Sequence, residues 1–186
     1  RRLNRLPRNG PLSILCPLLC PADFLLEFAD HLRQLFRQID EALDGAPCRA
    51  LIAPVDVLLP TPDEADDHIT TVVQPDILVV CDPTKITERN VRGAPDWIIE
   101  VLSPATARHD HLTKRALYER AGVREYWLVH PVDRVITVYV LKDGHYGGPE
   151  IADMAGERAP TIFPEIVIRW QPILDKLPHE GTVSDA

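Results

Sequence analysis

Nothing in the 186-residue sequence approaches the ~20 consecutive apolar residues of a membrane-spanning helix. The nearest stretch, GPLSILCPLLCPA after the basic start RRLNRLPR, has the order of a secretory leader. Pro11, Pro17 and Pro21 break its apolar part, so neither a span nor a leader is expected. Excess positive charge is also missing. Twenty Lys and Arg stand against 28 Asp and Glu, a formal net charge of −8. That balance excludes a protein that coats nucleic acid indiscriminately, because such binding neutralises many phosphates with basic side chains. Any nucleic-acid contact must be local. Cysteine is scarce: Cys16, Cys20, Cys48 and Cys81 show no CxxC spacing, and the last two sit in apolar runs that read as strands, where a thiol behaves as a small hydrophobe. Neither a zinc site nor a disulfide framework is expected, and a reducing cytoplasm fits. Repeats, low-complexity tracts and a G-x-S-x-G elbow are absent, so Ser103 before Pro104 reads as a helix cap and not as a nucleophile.

What is present suits one domain. A hydrophobic content of 45% over this length can bury a core without metal or disulfide support. Residues 1–22 read as an atypical or truncated N-terminal segment, 23–178 as a single domain and 179–186 as a polar tail. From Ala22 to Leu43, Phe24, Phe28, Leu32, Leu35, Phe36, Ile39 and Leu43 recur at helical spacing, with Gly45 as the stop. RALIAPVDVLL (Arg49 to Leu59), VVQPDILVVC (Val72 to Cys81) and WIIEVL (Trp97 to Leu102) read as three strands of a largely buried sheet. A second helix is expected from about Ala105 to Ala121, stopped by Gly122. REYWLVH returns as a strand with Trp127 as core packing. VITVYVL then enters a hairpin turned at Asp143-Gly144, and IVIRW is one further strand. The expected fold class is α/β, a central mixed sheet flanked by helices with a C-terminal hairpin.

Two carboxylates interrupt these apolar strands: Asp76 within VVQPDILVV and Glu100 at the end of WIIE. Burying an ionised carboxylate is costly unless it is paired, hydrogen-bonded or bound to metal. Either residue alone could lie at a strand end and accept backbone hydrogen bonds. Two in neighbouring strands call for a shared compensating charge, which Mg²⁺ supplies with a few carboxylate oxygens and several waters. Lys114, on the helix after the Glu100 strand, is the third member; its competing role is an i, i+4 surface pair with Asp110. His109 and His111, at i, i+2, do not share a helix face and make no zinc pair. Arg108 and Arg115 in the same basic stretch are candidate phosphate contacts, with a solvated helix face as the alternative.

The runs PVDVLLP, VVQPDILVVCD and GAPDWIIEVLSPATARHDHLTKRALYERAGVREYWLVHP resemble the Uma-type restriction endonuclease family of the PD-(D/E)XK nuclease superfamily. The phrases QPD, EVLSP and GVREYW stand in that family's order, and the resemblance covers roughly Leu32 to Ile151. It implies a restriction-endonuclease-like core with metal ligands at Asp76 and Glu100 and the backbone carbonyl of Val101 as a third. The superfamily's usual Lys, two residues after the acidic residue, is Leu102 here, which implies that the role moves to Lys114. The His and acidic residue that the family tends to carry on its first helix fall on Phe28 and Asp30. The His is missing and the acid is kept, making Asp30 an additional ligand candidate.

These readings lead to an expected Mg²⁺-dependent endonuclease hydrolysing DNA phosphodiester bonds, with Mn²⁺ as a substitute, in the cytoplasm, without a membrane partner and compatible with a homodimer. The alternative is a catalytically inactive nucleic-acid- or protein-binding module on the same fold, which the missing His favours. A dimerising scaffold without nucleic acid is a third reading, distinguished by no salt-dependent retention of DNA.

Overall fold

The computed structural model of the protein describes residues 22–61, 64, 69–102 and 110–175, with side chains described throughout except at 22–28 and 110–111. Its first element is α1, Ala22–Ala42. The spacing of Leu32, Leu35, Phe36, Ile39 and Leu43 turns one stripe of this helix into the core, and Ile39 is fully buried. Gly45 follows with φ +74, a left-handed conformation that glycine adopts at little cost and that ends the helix.

The strands then come in pairs split at proline. RALIAPVDVLL, expected as one strand, is β1 (Arg49–Ile52) and β2 (Val57–Leu58), separated at a cis Ala53–Pro54 bond. VVQPDILVVC is likewise β3 (Val72–Val73) and β4 (Ile77–Val80), separated at Pro75. A proline has no N–H to give to a ladder and restricts the residue before it, so the chain leaves one sheet there and enters another. After β5 (Val91–Arg92), β2 lies between β3 and β5 in a small three-stranded sheet. The main chain of elements continues with β6 (Trp97–Val101), α2 (Asp110–Ala121), β7 (Glu125–His130), β8 (Val135–Lys142), β9 (His145–Tyr146) and β10 (Glu150–Asp153). The expected start of the second helix, with Ser103, Arg108 and His109, lies outside the described residues. Asp143 and Gly144 both take positive φ, 52 and 82, which makes the tight turn of the expected hairpin between β8 and β9. The chain closes through β11 (Glu157–Arg158), β12 (Ile168–Arg169) and the short α3 (Gln171–Leu174).

The main sheet runs β1-β4-β6-β7-β8-β10, with β9 added to β8, seven strands among the described residues. Within this sheet, among the described residues, β6 and β7 pair in parallel, joined across the connection that contains α2, and the other pairs are antiparallel. The sheet is therefore mixed, as expected.

Alternation along the central strands divides the interior in two. Ile77, Val79, Trp97, Ile99, Val101, Trp127 and Val129 face α1, α3 and the C-terminal segment. Leu78, Val80, Ile98, Tyr126 and Leu128 face α2 and the small sheet. Gln38 of α1 clamps the first layer by accepting from the Arg169 N–H at 2.7 Å and donating to its carbonyl at 3.1 Å. In the same layer Glu125, fully buried, accepts from Trp127 Nε1 at 2.6 Å and from the N–H groups of Thr161 and Ile162 at 3.1 and 3.0 Å.

The expectation of no disulfide is corrected: Cys48 and Cys81 are bonded to each other. The register that pairs Arg49 with Val80 sets these two cysteines opposite one another at the ends of β1 and β4. A separation of 33 residues carries no sign of this in the sequence. A reducing compartment consequently draws no support from the cysteines. Among the described residues no helix is long and apolar enough to cross a membrane.

Candidate functional site

The register of β4 and β6 pairs Ile77 with Ile99, so the next positions outward, Asp76 and Glu100, stand opposite each other. Both are even-numbered neighbours of Leu78 and Ile98 and share their face of the sheet, the one covered by α2. Side chains on opposite faces would have ended the paired-carboxylate reading; they are on one face. Asp76 Oδ2 accepts the Val101 N–H at 2.7 Å, replacing a ladder hydrogen bond at the point where Pro75 has ended regular pairing. In an antiparallel pair a residue's N–H and C=O face the same neighbour, so the Val101 carbonyl also projects toward the Asp76 side.

Glu100 is nearly buried, at 5% exposure, and both of its oxygens have donors from α2. Lys114 Nζ is 3.0 Å from Oε2, and the Tyr118 hydroxyl donates to Oε1 at 2.7 Å. Lys114 and Tyr118 are four residues apart and so lie one above the other on the helix face turned to the sheet. Burial pushes the Glu100 carboxyl up to about 7; the Lys114 charge and the Tyr118 hydrogen bond act against that rise, while the Asp76 charge adds to it. Asp76 is raised too, mainly by burial, with the Val101 N–H and Lys114 pulling it back. Each carboxylate is thus short of positive charge even with Lys114 beside them.

Of the expected residues, Asp76, Glu100, Val101 and Lys114 come together. Lys114 reaches Glu100 because α2 packs over the end of β6. Asp30 does not join them. It is exposed, lies on the helix that covers the other face of the sheet, and takes an Arg33 hydrogen bond at 3.2 Å. His31, its neighbour, points inward and is buried at 4% exposure, a position the family comparison of Phe28 and Asp30 did not single out. Arg115, expected as a phosphate contact, is engaged inside the fold. Its guanidinium donates to the Tyr146 carbonyl at 3.3 Å, lies 3.7 Å from Glu119 and stacks over the Tyr139 ring at 5.1 Å. Arg108 lies outside the described residues. Tyr118 was missed by sequence reasoning, although its spacing from Lys114 was the available signal.

Beside Lys114, a cleft of about 600 Å³ is lined by Asp56, Val72, Val73, Gln74, Thr113, Lys114 and Leu117. Gln74 donates to Asp56 at 2.7 Å on its rim. Among the described residues no group of three or more His, Cys, Asp or Glu side chains is placed to hold a metal.

The site thus consists of two carboxylates facing one another at a strand break of a mixed sheet, with a lysine over them. The chain belongs to the family described as "Putative restriction endonuclease", whose model matches residues 28–171. Among solved structures, it resembles a crystal structure described as a putative nuclease belonging to DUF820 from Anabaena variabilis, with a TM-score of 0.62, 19% identity and 81% of each chain covered. At that identity the likeness shows the fold. No curated protein matches the sequence.

Proposed function

We propose that the protein is a divalent-metal-dependent endonuclease that hydrolyses phosphodiester bonds in DNA, with Asp76, Glu100 and Lys114 as its catalytic residues. The observation that carries this reading is the meeting of Asp76 and Glu100 on one face with the Lys114 ammonium 3.0 Å from Glu100. The donor set fits a hard divalent cation. Two carboxylates whose ionised forms are disfavoured by burial gain from a nearby double charge, and a backbone carbonyl on the same side adds an uncharged oxygen. Asp76, Glu100 and the Val101 carbonyl would hold Mg²⁺, or Mn²⁺ in its place. When bound, such an ion polarises a phosphate and lowers the pKa of its water.

The chain's own residues do the rest. The Val101 N–H fixes Asp76 Oδ2, so this carboxylate is oriented before substrate arrives. Lys114, anchored on Glu100, sets a cation where charge gathers on the phosphate oxygens in the transition state. The open cleft beside Lys114 offers a DNA strand an approach, and the net charge of −8 agrees with nucleic-acid contact that is local.

Incubating the purified protein with duplex, nicked and single-stranded DNA, with Mg²⁺, Mn²⁺ or chelator, tests the proposal. Metal-dependent cleavage that Asp76→Asn and Glu100→Gln both remove is the expected result. DNA retention that weakens with salt, without cleavage at any metal concentration, would instead identify a binding module on the nuclease fold.

A further inference from the structure

We propose that Tyr118 is a positioning residue that holds Glu100 for metal, an inference that rests on the metal-dependent reading of the site. Glu100 is the last residue but one of β6, and its carboxylate could turn about its last side-chain bond if only one oxygen were held. Two donors on two different oxygens remove that freedom: Lys114 on Oε2 and the Tyr118 hydroxyl on Oε1. Each carboxylate oxygen has a second lone-pair direction, so both hydrogen bonds can persist while an ion is bound.

The hydroxyl is itself immobile. Tyr118 is fully buried, and its ring meets Tyr126 edge-on at 5.0 Å and 73°. Tyr126 stacks in turn on Tyr139 at 5.9 Å and Tyr146 at 6.4 Å, and the Tyr146 hydroxyl is tied to the Val123 carbonyl at 2.9 Å. A phenylalanine would fill the same space. What the tyrosine adds is a donor aimed at a buried carboxylate next to a second one. Hydrogen bonds that orient a metal-binding group from behind commonly change metal affinity ten- to a hundred-fold when removed.

The test uses the full chain and Mn²⁺ as the probe, titrated by the loss of its free-ion electron paramagnetic resonance signal, alongside half-saturating Mn²⁺ for DNA cleavage. Tyr118→Phe is compared with Tyr126→Phe, which removes a hydroxyl from the adjoining ring without touching Glu100, and with Glu100→Gln. The expected result is a Tyr118→Phe protein with wild-type secondary structure, about ten-fold or weaker Mn²⁺ binding and a matching rise in half-saturating Mn²⁺, with cleavage largely restored at saturation. Tyr126→Phe should bind as wild type does. Equal shifts in both variants would overturn the proposal in favour of packing. Wild-type Mn²⁺ binding in Tyr118→Phe, with binding lost in Glu100→Gln, overturns the positioning role and leaves the nuclease reading standing. A wild-type protein that binds no Mn²⁺ overturns both.

Discussion

Replacing Asp76 by Asn keeps the side chain's shape and its ability to accept the Val101 N–H, while removing one of two negative charges that burial disfavours. Cleavage should fall by orders of magnitude, as expected when an ion supplying several kcal/mol loses a ligand. Folding should survive or improve, because repulsion between unliganded carboxylates is relieved. Thermal melting and cleavage measured on the same variant separate this from a structural Asp76, for which stability would drop and cleavage persist. Lys114→Met should cost about a hundred-fold or more in cleavage rate if the ammonium offsets transition-state charge. Single-turnover rates at saturating metal would read it, and an unchanged rate would remove Lys114 from the mechanism.

Acidity at Glu100 also gives a stability profile. Its carboxyl titrates near 7 in the folded protein and near 4.5 as a free side chain, so between these values the folded state holds the additional proton. A raised carboxyl stabilises the fold below about 4.5, and that contribution is lost as pH climbs to about 7, a fall of at most about 3 kcal/mol. Asp76, raised by burial as well, acts in the same direction. Melting curves of chelator-treated protein between pH 5 and 8 should show the decline, and Glu100→Gln should flatten most of it. Added Mg²⁺ should stabilise most above pH 7, where both carboxylates are ionised. A decline of the same size in Glu100→Gln would assign the titration elsewhere.

Among the elements, the strand breaks do most to build the site. Pro54 and Pro75 look in the sequence like residues inside long strands; in the fold each is a crossing point between the two sheets, and Asp76 is free to bond the Val101 N–H because regular pairing has just ended. That Asp76 and Glu100 interrupt neighbouring apolar strands was legible; their common face was not, because both strands are buried on both sides and the β4–β6 register that sets it is not written in either strand. Lys114 was singled out by its place on the helix that follows the Glu100 strand and by the family resemblance, while its spacing alone fitted a surface pair with Asp110 equally well. Glu125 was not, because its carboxylate is satisfied by backbone groups 36 and 37 residues away, a contact no local pattern records. Glu125→Ala would leave the Trp127 indole and two N–H groups buried without their acceptor. A loss of about 2 to 4 kcal/mol is expected, with Mn²⁺ binding retained while the protein stays folded. Denaturant titration alongside Mn²⁺ binding measures both, and a stability change below about 1 kcal/mol would mean that other acceptors, such as water, replace the carboxylate.

On the scale of the whole molecule, the Cys48–Cys81 bond ties the turn after α1 to the far end of β4, at the opposite end of that strand from Asp76. Closing a loop of this size contributes about 3 to 4 kcal/mol on chain-entropy grounds. Reduction, or Cys81→Ser, should therefore lower the melting temperature while metal-dependent cleavage below that temperature is kept. Cleavage lost with the fold intact would show that the two ends of β4 are coupled.

The aromatic residues are sorted by face. Trp97, Trp127 and Trp170, all the tryptophans of the chain, lie in the layer beneath α1, and all four tyrosines lie in the layer beneath α2. The two chromophores therefore label opposite sides of one sheet. Tryptophan emission reports on the layer that Glu125 holds together, whereas the ultraviolet absorbance and near-ultraviolet dichroism of tyrosine report on the layer that meets Glu100. An ion or a nucleotide arriving at the carboxylates should register in the tyrosine bands while the tryptophan emission maximum stays where it was, so occupancy and unfolding can be followed in one cuvette without an added dye.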